Sequence, residues 1–290
     1  MRRVDVGLVR QLLQAQFPAW ADLPLTPIRH GGTDNAIFRL GDHLAARLPR
    51  VGWAAGQAEK EHAWLPRLAP HLPLPVPTPL GLGQPAEGYP WRWTVSRWID
   101  GEPLPPVLLD DAVVANDLAA FIAALQGIDT AGGPEPGPHN FYRGVPLRQR
   151  DRVTRESIAE AADELDVEIV TAAWAELASA PEHEGPPVWL HGDLHEGNIL
   201  ALDGRLSAVI DFGGLGLGDP ACDLAVAWMI FDARTRERFR RAACADDAVW
   251  TRARAWALSI SLVQIPFYRA SHPEIAQLSR RTLREALADR

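Results

Sequence analysis

The residues able to do chemistry concentrate in one stretch, VWLHGDLHEGNIL (188–200). Within eight residues it holds His191, Asp193, His195, Glu196 and Asn198, and then it turns apolar. Polar groups at this density cost desolvation if they serve only packing. Two chemistries fit the spacing. His191, Asp193 and His195 alternate, so on an extended strand they face one side and could hold the metal of a hydrolase. Alternatively, Asp193 is the base of a phosphoryl-transfer loop, and Asn198, five residues on, holds a cation.

The residues that follow bear on this choice. ILALDGRLSAVIDFGG (199–214) places Asp203-Gly204, a two-residue hairpin signal, between two alternating apolar runs. A two-residue loop pairs Leu202 with Arg205, Leu200 with Ser207 and Asn198 with Val209. Asp211 is then the diagonal neighbour of Asn198 on the same face, roughly 7–8 Å away. Two oxygen ligands, with the remaining positions left to water and phosphate, suit Mg²⁺. Asp193, on the loop after PVWL, is placed to orient an attacking hydroxyl. The order D-x-x-x-x-N followed by D-F-G at 211–213 is that of a kinase catalytic loop. A hydrolase needs further ligands, and the histidines at 30, 43, 62, 71, 139, 183 and 272 form no second cluster in the sequence.

These residues need elements to position them. Residues 4–17 read as an amphipathic helix. NAIFRL (35–40) and HLAARL (43–48) flank Gly41-Asp42 and read as a hairpin whose register sets Arg47 opposite Ala36. AGQAEKEHAWLPRLA (55–69) is helical, with Pro66 as a point where it kinks or ends. The prolines of LPLPVPTPLGLG (72–83) favour an extended edge segment. WRWTVSRWI (91–99) reads as a strand and DGEPL (100–104) as a turn. Helical patterns begin at Asp110 and cover 151–179, 220–242 and most of the chain after 247. The expected fold class is α+β and bilobal. A small antiparallel-sheet lobe with one main helix (1–98) meets a larger, mostly helical lobe (99–290), with a ligand cleft between them.

VWLHGDLHEGNIL and SAVIDFGGLGLGDPACDLA resemble the hallmark motifs of the aminoglycoside phosphotransferase family, whose fold is protein-kinase-like and which includes macrolide and choline kinases. The resemblance covers most of the chain and is least diagnostic in the C-terminal helices. It implies Asp193 as catalytic base, Asn198 and Asp211 as magnesium ligands, and His191 as a brace of the loop. Asp219 before Pro220 reads as a helix N-cap with proline at N1. Asp223 is similar to a buried family aspartate that tethers backbone. The resemblance also implies a lysine on the third strand for the nucleotide phosphates, and here the chain departs, because Arg47 holds that place. A guanidinium can grip phosphate and carboxylate with two bonds. Its implied partner is Glu61, with Glu59 as fallback, and Lys60 between them reads as a solvated helix-face residue. Gly31, Gly32 and Thr33 in HGGTDN (30–35) resemble the nucleotide loop. Backbone near Ser96, Arg97 and Trp98 in SRWIDG (96–101) is expected to meet the purine of ATP or GTP.

The bulk composition bounds the partners. The 290 residues carry 29 basic and 37 acidic side chains, a net charge of −8, which disfavours nucleic acid. Two cysteines make no disulfide framework, and no apolar run of membrane-spanning length is present, so a cytoplasmic protein without a membrane partner is expected. The expected partners are a nucleoside triphosphate and a small-molecule hydroxyl, aminoglycoside-like or a related antibiotic or metabolite, on a monomer or homodimer. RESIAEAADELDVE (155–168) offers either an acidic wall for a polycation or a solvated helix face. Trp228 and Trp256, among eleven tryptophans, are candidates to line an acceptor pocket. A nucleotide-binding scaffold without turnover is the remaining alternative, and the presence of Asp193, Asn198 and Asp211 together disfavours it.

Overall fold

Alternation of apolar and polar residues builds the front of the chain into an antiparallel sheet. The computed structural model describes residues 4–28, 34–104 and 111–289. Helix α1 (Val6–Gln16) starts at Asp5, whose carboxylate accepts the Leu8 N–H at 2.9 Å. Five strands follow, β1 (Leu25–Pro27), β2 (Asn35–Leu40), β3 (Leu44–Pro49), β4 (Pro79–Gly83) and β5 (Trp93–Arg97), with helix α2 (Gln57–Leu68) between β3 and β4. Their order in the sheet is β1-β2-β3-β5-β4, so β4, which opens with Pro79 after the proline-rich stretch, lies on an edge, where a missing N–H is tolerated. Helix α2 runs on through Pro66 to Leu68.

The β2–β3 register departs from the expectation. The turn takes three residues, so Leu40 pairs with Leu44, and Arg47 lies opposite Ile37 rather than Ala36. The reason is burial. This register sets the buried Ala36, Phe38 and Leu40 opposite Leu48, Ala46 and Leu44 on one face. A slip of one would have turned Arg47 into that face. Leu8, Val9, Leu12 and Leu13 of α1 cover it, with Trp93 and Val95.

The rest of the chain is mostly helical. It comprises β6 (Glu102–Pro103), α3 (Asp111–Gln126), α4 (Leu147–Glu160), α5 (Val167–Ala178), β7 (Val188–Leu190), β8 (Ile199–Leu202), β9 (Arg205–Val209), β10 (Gly216–Gly218), α6 (Ala221–Leu224), α7 (Val226–Ile230), α8 (Ala233–Ala242), α9 (Asp247–Tyr268) and α10 (Pro273–Ala288). Two departures are local. DGEPL is not only a turn, since β6 pairs with β8. The helical stretch expected over 220–242 is three helices, and Asp232 starts the last by accepting the Thr235 N–H at 2.8 Å. Helix α9 is apolar nearly all round, as a central helix must be, with Trp256, Leu258 and Leu262 buried. Leu118, Phe121, Ile122 and Leu125 of α3 join the same core. Leu65 and Leu68 of α2 also belong to it, while α2 packs on β4 and β5. This helix therefore ties the sheet to the helical part. Among the described residues, no helix is long and apolar enough to cross a membrane.

One buried ion pair anchors α9 beside the small β7–β10 ribbon. Arg252 Nε donates to Asp219 Oδ2 at 2.7 Å, and both side chains are almost fully buried. Asp219 also accepts the Ala221 N–H at 3.0 Å, the capping role its position before Pro220 suggested. Asp219→Ala leaves Arg252 buried without its carboxylate. The expected loss is about 3–5 kcal/mol of unfolding free energy, read from urea denaturation.

Candidate active site

The polar loop is built first on satisfied backbone. His191 is fully buried at the end of β7. Its Nδ1 accepts the Asp193 N–H at 3.2 Å, so Nε2 carries the proton and donates to the Ile210 carbonyl at 3.0 Å. Its ring lies against Phe212, with centroids 4.5 Å apart. The Asp223 carboxylate, from α6, accepts the N–H groups of His191 and Gly192 at 2.7 and 2.8 Å. Gly192 has φ +80°, and a Cβ there would lie 2.3 Å from the Gly214 carbonyl oxygen, so only glycine lets this loop close on the 212–214 turn. His195 Nδ1 accepts the Gly197 N–H at 3.0 Å and caps the short turn Glu196–Asn198.

These bonds dispose of the hydrolase alternative. Both ring nitrogens of His191 are spent on backbone, as is Nδ1 of His195. Among the described residues, no group of three or more His, Cys, Asp and Glu side chains could hold a metal ion.

The second hairpin keeps its turn and shifts its register. Asp203 and Gly204 have φ +52° and +78°, as a type I′ turn needs, and Leu202 pairs with Arg205. An irregularity between Leu200 and Ala201 then moves the ladder by one, so Leu200 faces Ala208 and Ile199 faces Val209. Asn198 lies beyond the ladder and does not face Val209; its carbonyl accepts the Ile210 N–H at 2.9 Å. Asp211 follows that bonded residue directly, so its backbone runs beside that of Asn198. Asn198 Nδ2 donates to the Asp193 carbonyl at 2.9 Å and reaches Asp193 Oδ2 at 3.5 Å. Its Oδ1 takes part in neither bond.

Arg47 joins the two halves of the site. One nitrogen donates to Glu61 Oε1 at 2.5 Å; the other donates to Asp211 Oδ1 and reaches Gln57 Oε1 at 3.3 Å. Gln57 also accepts from Asn35 Nδ2 at 3.2 Å. Burial alone would lower the Arg47 pKa, but the Asp211 and Glu61 carboxylates outweigh it and raise it. Burial likewise works to raise Asp211, yet Arg47 and the Gly213 N–H hold it below the ordinary carboxylate range. Glu61 is buried, whereas the fallback Glu59 is exposed and pairs with Arg92 at 2.6 Å.

Other sequence candidates fall differently. Lys60 is not a solvated residue, because α2 turns it toward the 212–214 turn. Its ammonium donates to the Gly213 carbonyl at 2.7 Å and meets the carbonyl and Nδ1 of His139 at 3.1 and 3.2 Å. The signal available in the sequence was its singularity, one lysine among 29 basic residues. Ser96 is paired to Ala45 and Pro79, Arg97 to Leu44, and the Trp98 N–H donates to the His43 carbonyl at 2.8 Å. That N–H is therefore engaged within the protein rather than presented to a purine. Gly31, Gly32 and Thr33 lie outside the described residues. Trp228 and Trp256 are fully buried, the first against Trp250 and the second beneath the Arg150 guanidinium, so both serve the core. In the 155–168 stretch, Asp163 and Glu164 are paired with Arg269, and Glu164 also with Arg280.

The phosphotransferase enzyme family model matches residues 24–256, and the chain belongs to that family. An aminoglycoside 3'-phosphotransferase of Escherichia coli is 31% identical over 156 residues, 47% of this chain and 51% of that protein, so the match spans about half of the relative's length. Among solved structures, the GDP complex of wild-type aminoglycoside 2'-phosphotransferase-IIIa aligns with a TM-score of 0.75 and 19% identity, over 97% of this chain and 98% of that one. The macrolide 2'-phosphotransferase MphH of Brachybacterium faecium aligns with a TM-score of 0.64 and 20% identity, over 96% and 98%. These neighbours establish the expected fold class, a protein-kinase-like α+β arrangement of a small antiparallel sheet and a larger helical part.

The Asp223 carboxylate carries two backbone bonds that shape the loop. Asp223→Ala leaves two buried N–H groups unpaired, at about 1–3 kcal/mol each. The expected result is a lowered thermal midpoint in a differential scan and slower phosphoryl transfer.

Proposed function

We propose that the chain is a kinase of a small-molecule hydroxyl that uses a nucleoside triphosphate with Mg²⁺, residues 1–98 forming the nucleotide-binding lobe and 99–290 the catalytic and acceptor-binding lobe. The observation that carries this reading is the Arg47 fork on Glu61 and Asp211, beside the Asp193–Asn198 loop. The donor atoms fit magnesium: Asp211 offers a carboxylate held ionised, the Asn198 Oδ1 is not used by the loop, and both His191 nitrogens and the His195 Nδ1 are spent on backbone. Bound there, the ion would neutralise phosphate charge.

The chain's own residues supply the remaining steps. Asp193, partly exposed on its braced loop, orients the acceptor hydroxyl and takes its proton as the new oxygen–phosphorus bond forms and the bond to the nucleoside diphosphate breaks. Arg47 grips the phosphates while Glu61 keeps its fork in plane. Catalysis is then mainly positioning and charge stabilisation. Backbone around Ser96 and Arg97 would border the purine of ATP or GTP.

The names of the relatives support an acceptor of the aminoglycoside or macrolide kind, or a related amino alcohol. One observation weighs against a polycation held by the 155–168 stretch, because Asp163 and Glu164 there are already paired with arginines.

The test is transfer of labelled γ-phosphate from MgATP and MgGTP to a panel of aminoglycosides, macrolides and amino alcohols. Asp193→Ala should lower transfer by roughly 10²–10⁴-fold and leave the nucleotide Kd nearly unchanged. Full activity in that variant would remove Asp193 from its role. Asp211→Ala should erase the Mg²⁺-dependent part of nucleotide binding, measured by titration calorimetry with and without chelator. Nucleotide binding without any labelled product would favour a scaffold.

A further inference from the structure

The chain uses arginine for every basic side chain but one, and that one stands beside Glu61. Glu61 faces Arg47 and the sheet. Lys60, the preceding residue on α2, reaches the other way, to the turn that follows Asp211 and to the 138–140 turn that follows α3. We propose that Lys60 is a positioning residue: its ammonium fastens the helix that carries Glu61 to the metal-side loop at Gly213, and so sets the separation between the phosphate grip and Asp211.

The hydrogen bonding of the cluster is complete and consistent. An ammonium has three donors. Here they meet three acceptors, Gly213 O, His139 O and His139 Nδ1. For Nδ1 to accept, the His139 proton must sit on Nε2, and Nε2 lies 2.8 Å from the Glu135 carbonyl, to which it then donates. The 134–140 segment is itself held to the metal-side strand, because the Leu217 N–H donates to the Pro134 carbonyl at 2.9 Å. One side chain on α2 thus grips both layers beneath it.

The choice of lysine follows from this geometry. A guanidinium is a planar fork suited to two parallel acceptors. Three acceptors spread around one point call for a compact tetrahedral donor. None of the three is a carboxylate. The charge is therefore held by dipoles, with Glu61 and Asp211 acting only from a distance, and burial brings the Lys60 pKa down to about 8 while Glu61 works to raise it. A group whose charge is disfavoured by its own setting adds little to the stability of the fold.

The inference rests on the kinase reading, and the experiment separates the two. MgATP affinity is measured by calorimetry for the wild type, Lys60→Met, Lys60→Arg and Asp211→Ala. Failure of the wild type to bind nucleotide would overturn the kinase reading. If the wild type binds, Lys60→Met is expected to bind MgATP about tenfold more weakly, to bind metal-free ATP as the wild type does, and to keep its melting temperature within a few degrees. Lys60→Arg should restore the charge but not the affinity. Unchanged MgATP affinity in Lys60→Met would overturn the proposal. A loss accompanied by a collapse of the melting temperature would also overturn it, by making Lys60 a support of the fold alone. A measurement on the unaltered protein guards against a variant that does not fold. Lysine-selective isotope labelling gives a single side-chain resonance, which should move on MgATP binding and stay still in Asp211→Ala. A resonance unmoved by MgATP in the wild type would count against the proposal.

Discussion

The site depends on one guanidinium that has to satisfy two carboxylates from different parts of the chain. Arg47 comes from β3, Glu61 from α2, and Asp211 from the turn after β9. Removing Arg47 would leave Glu61 buried and Asp211 partly buried without their cation, and a buried charge left unpaired is costly. The sheet, the helix and the 211–214 turn are therefore held in one arrangement. Arginine meets this demand because its planar donors can address two acceptors at once, which a single ammonium does less well.

The catalytic loop obeys a second constraint, that buried backbone groups must be paired. Most of its conspicuous polar residues serve this end. His191 ties Asp193 to Ile210, Asp223 closes the N–H groups of His191 and Gly192, and His195 caps the turn that presents Asn198. The Asp193 carboxylate and the Asn198 amide oxygen are left out of this backbone pairing. The density of polar residues that first drew attention is thus largely scaffolding around two side-chain groups. A similar economy appears on the far side, where tryptophans and acidic residues suggestive of an acceptor pocket turn out to fill the core or to pair with arginines.

Much of this was legible in the residue order. D-x-x-x-x-N, the Asp203-Gly204 turn and D-F-G stand close together, so local geometry brings them together with little help from the rest of the fold. The pairing of Arg47 with Glu61 was implied only by the family resemblance, with Glu59 as the fallback. The departures trace to packing that local patterns do not carry. Both hairpin registers were off by one, in β2–β3 because the turn takes a third residue and in β8–β9 because the ladder slips at Leu200. Lys60 was misread because helical periodicity tells which side of α2 is apolar, and not what lies against its polar side.

The sequence alone determined which candidate groups stand close together, their order, and the Asp203-Gly204 turn that brings β8 back along β9. Those properties are local, governed by positive-φ turn residues and by alternation over a few residues. Tertiary structure decided which polar groups remain available. Whether His191 is a ligand or a brace, whether Glu59 or Glu61 meets Arg47, and whether Lys60 faces water or the Gly213 carbonyl depend on partners 14 to 153 residues away in the chain. Burial makes each unpaired donor and acceptor costly. The final pairing is therefore a property of the packed whole, and no single segment encodes it.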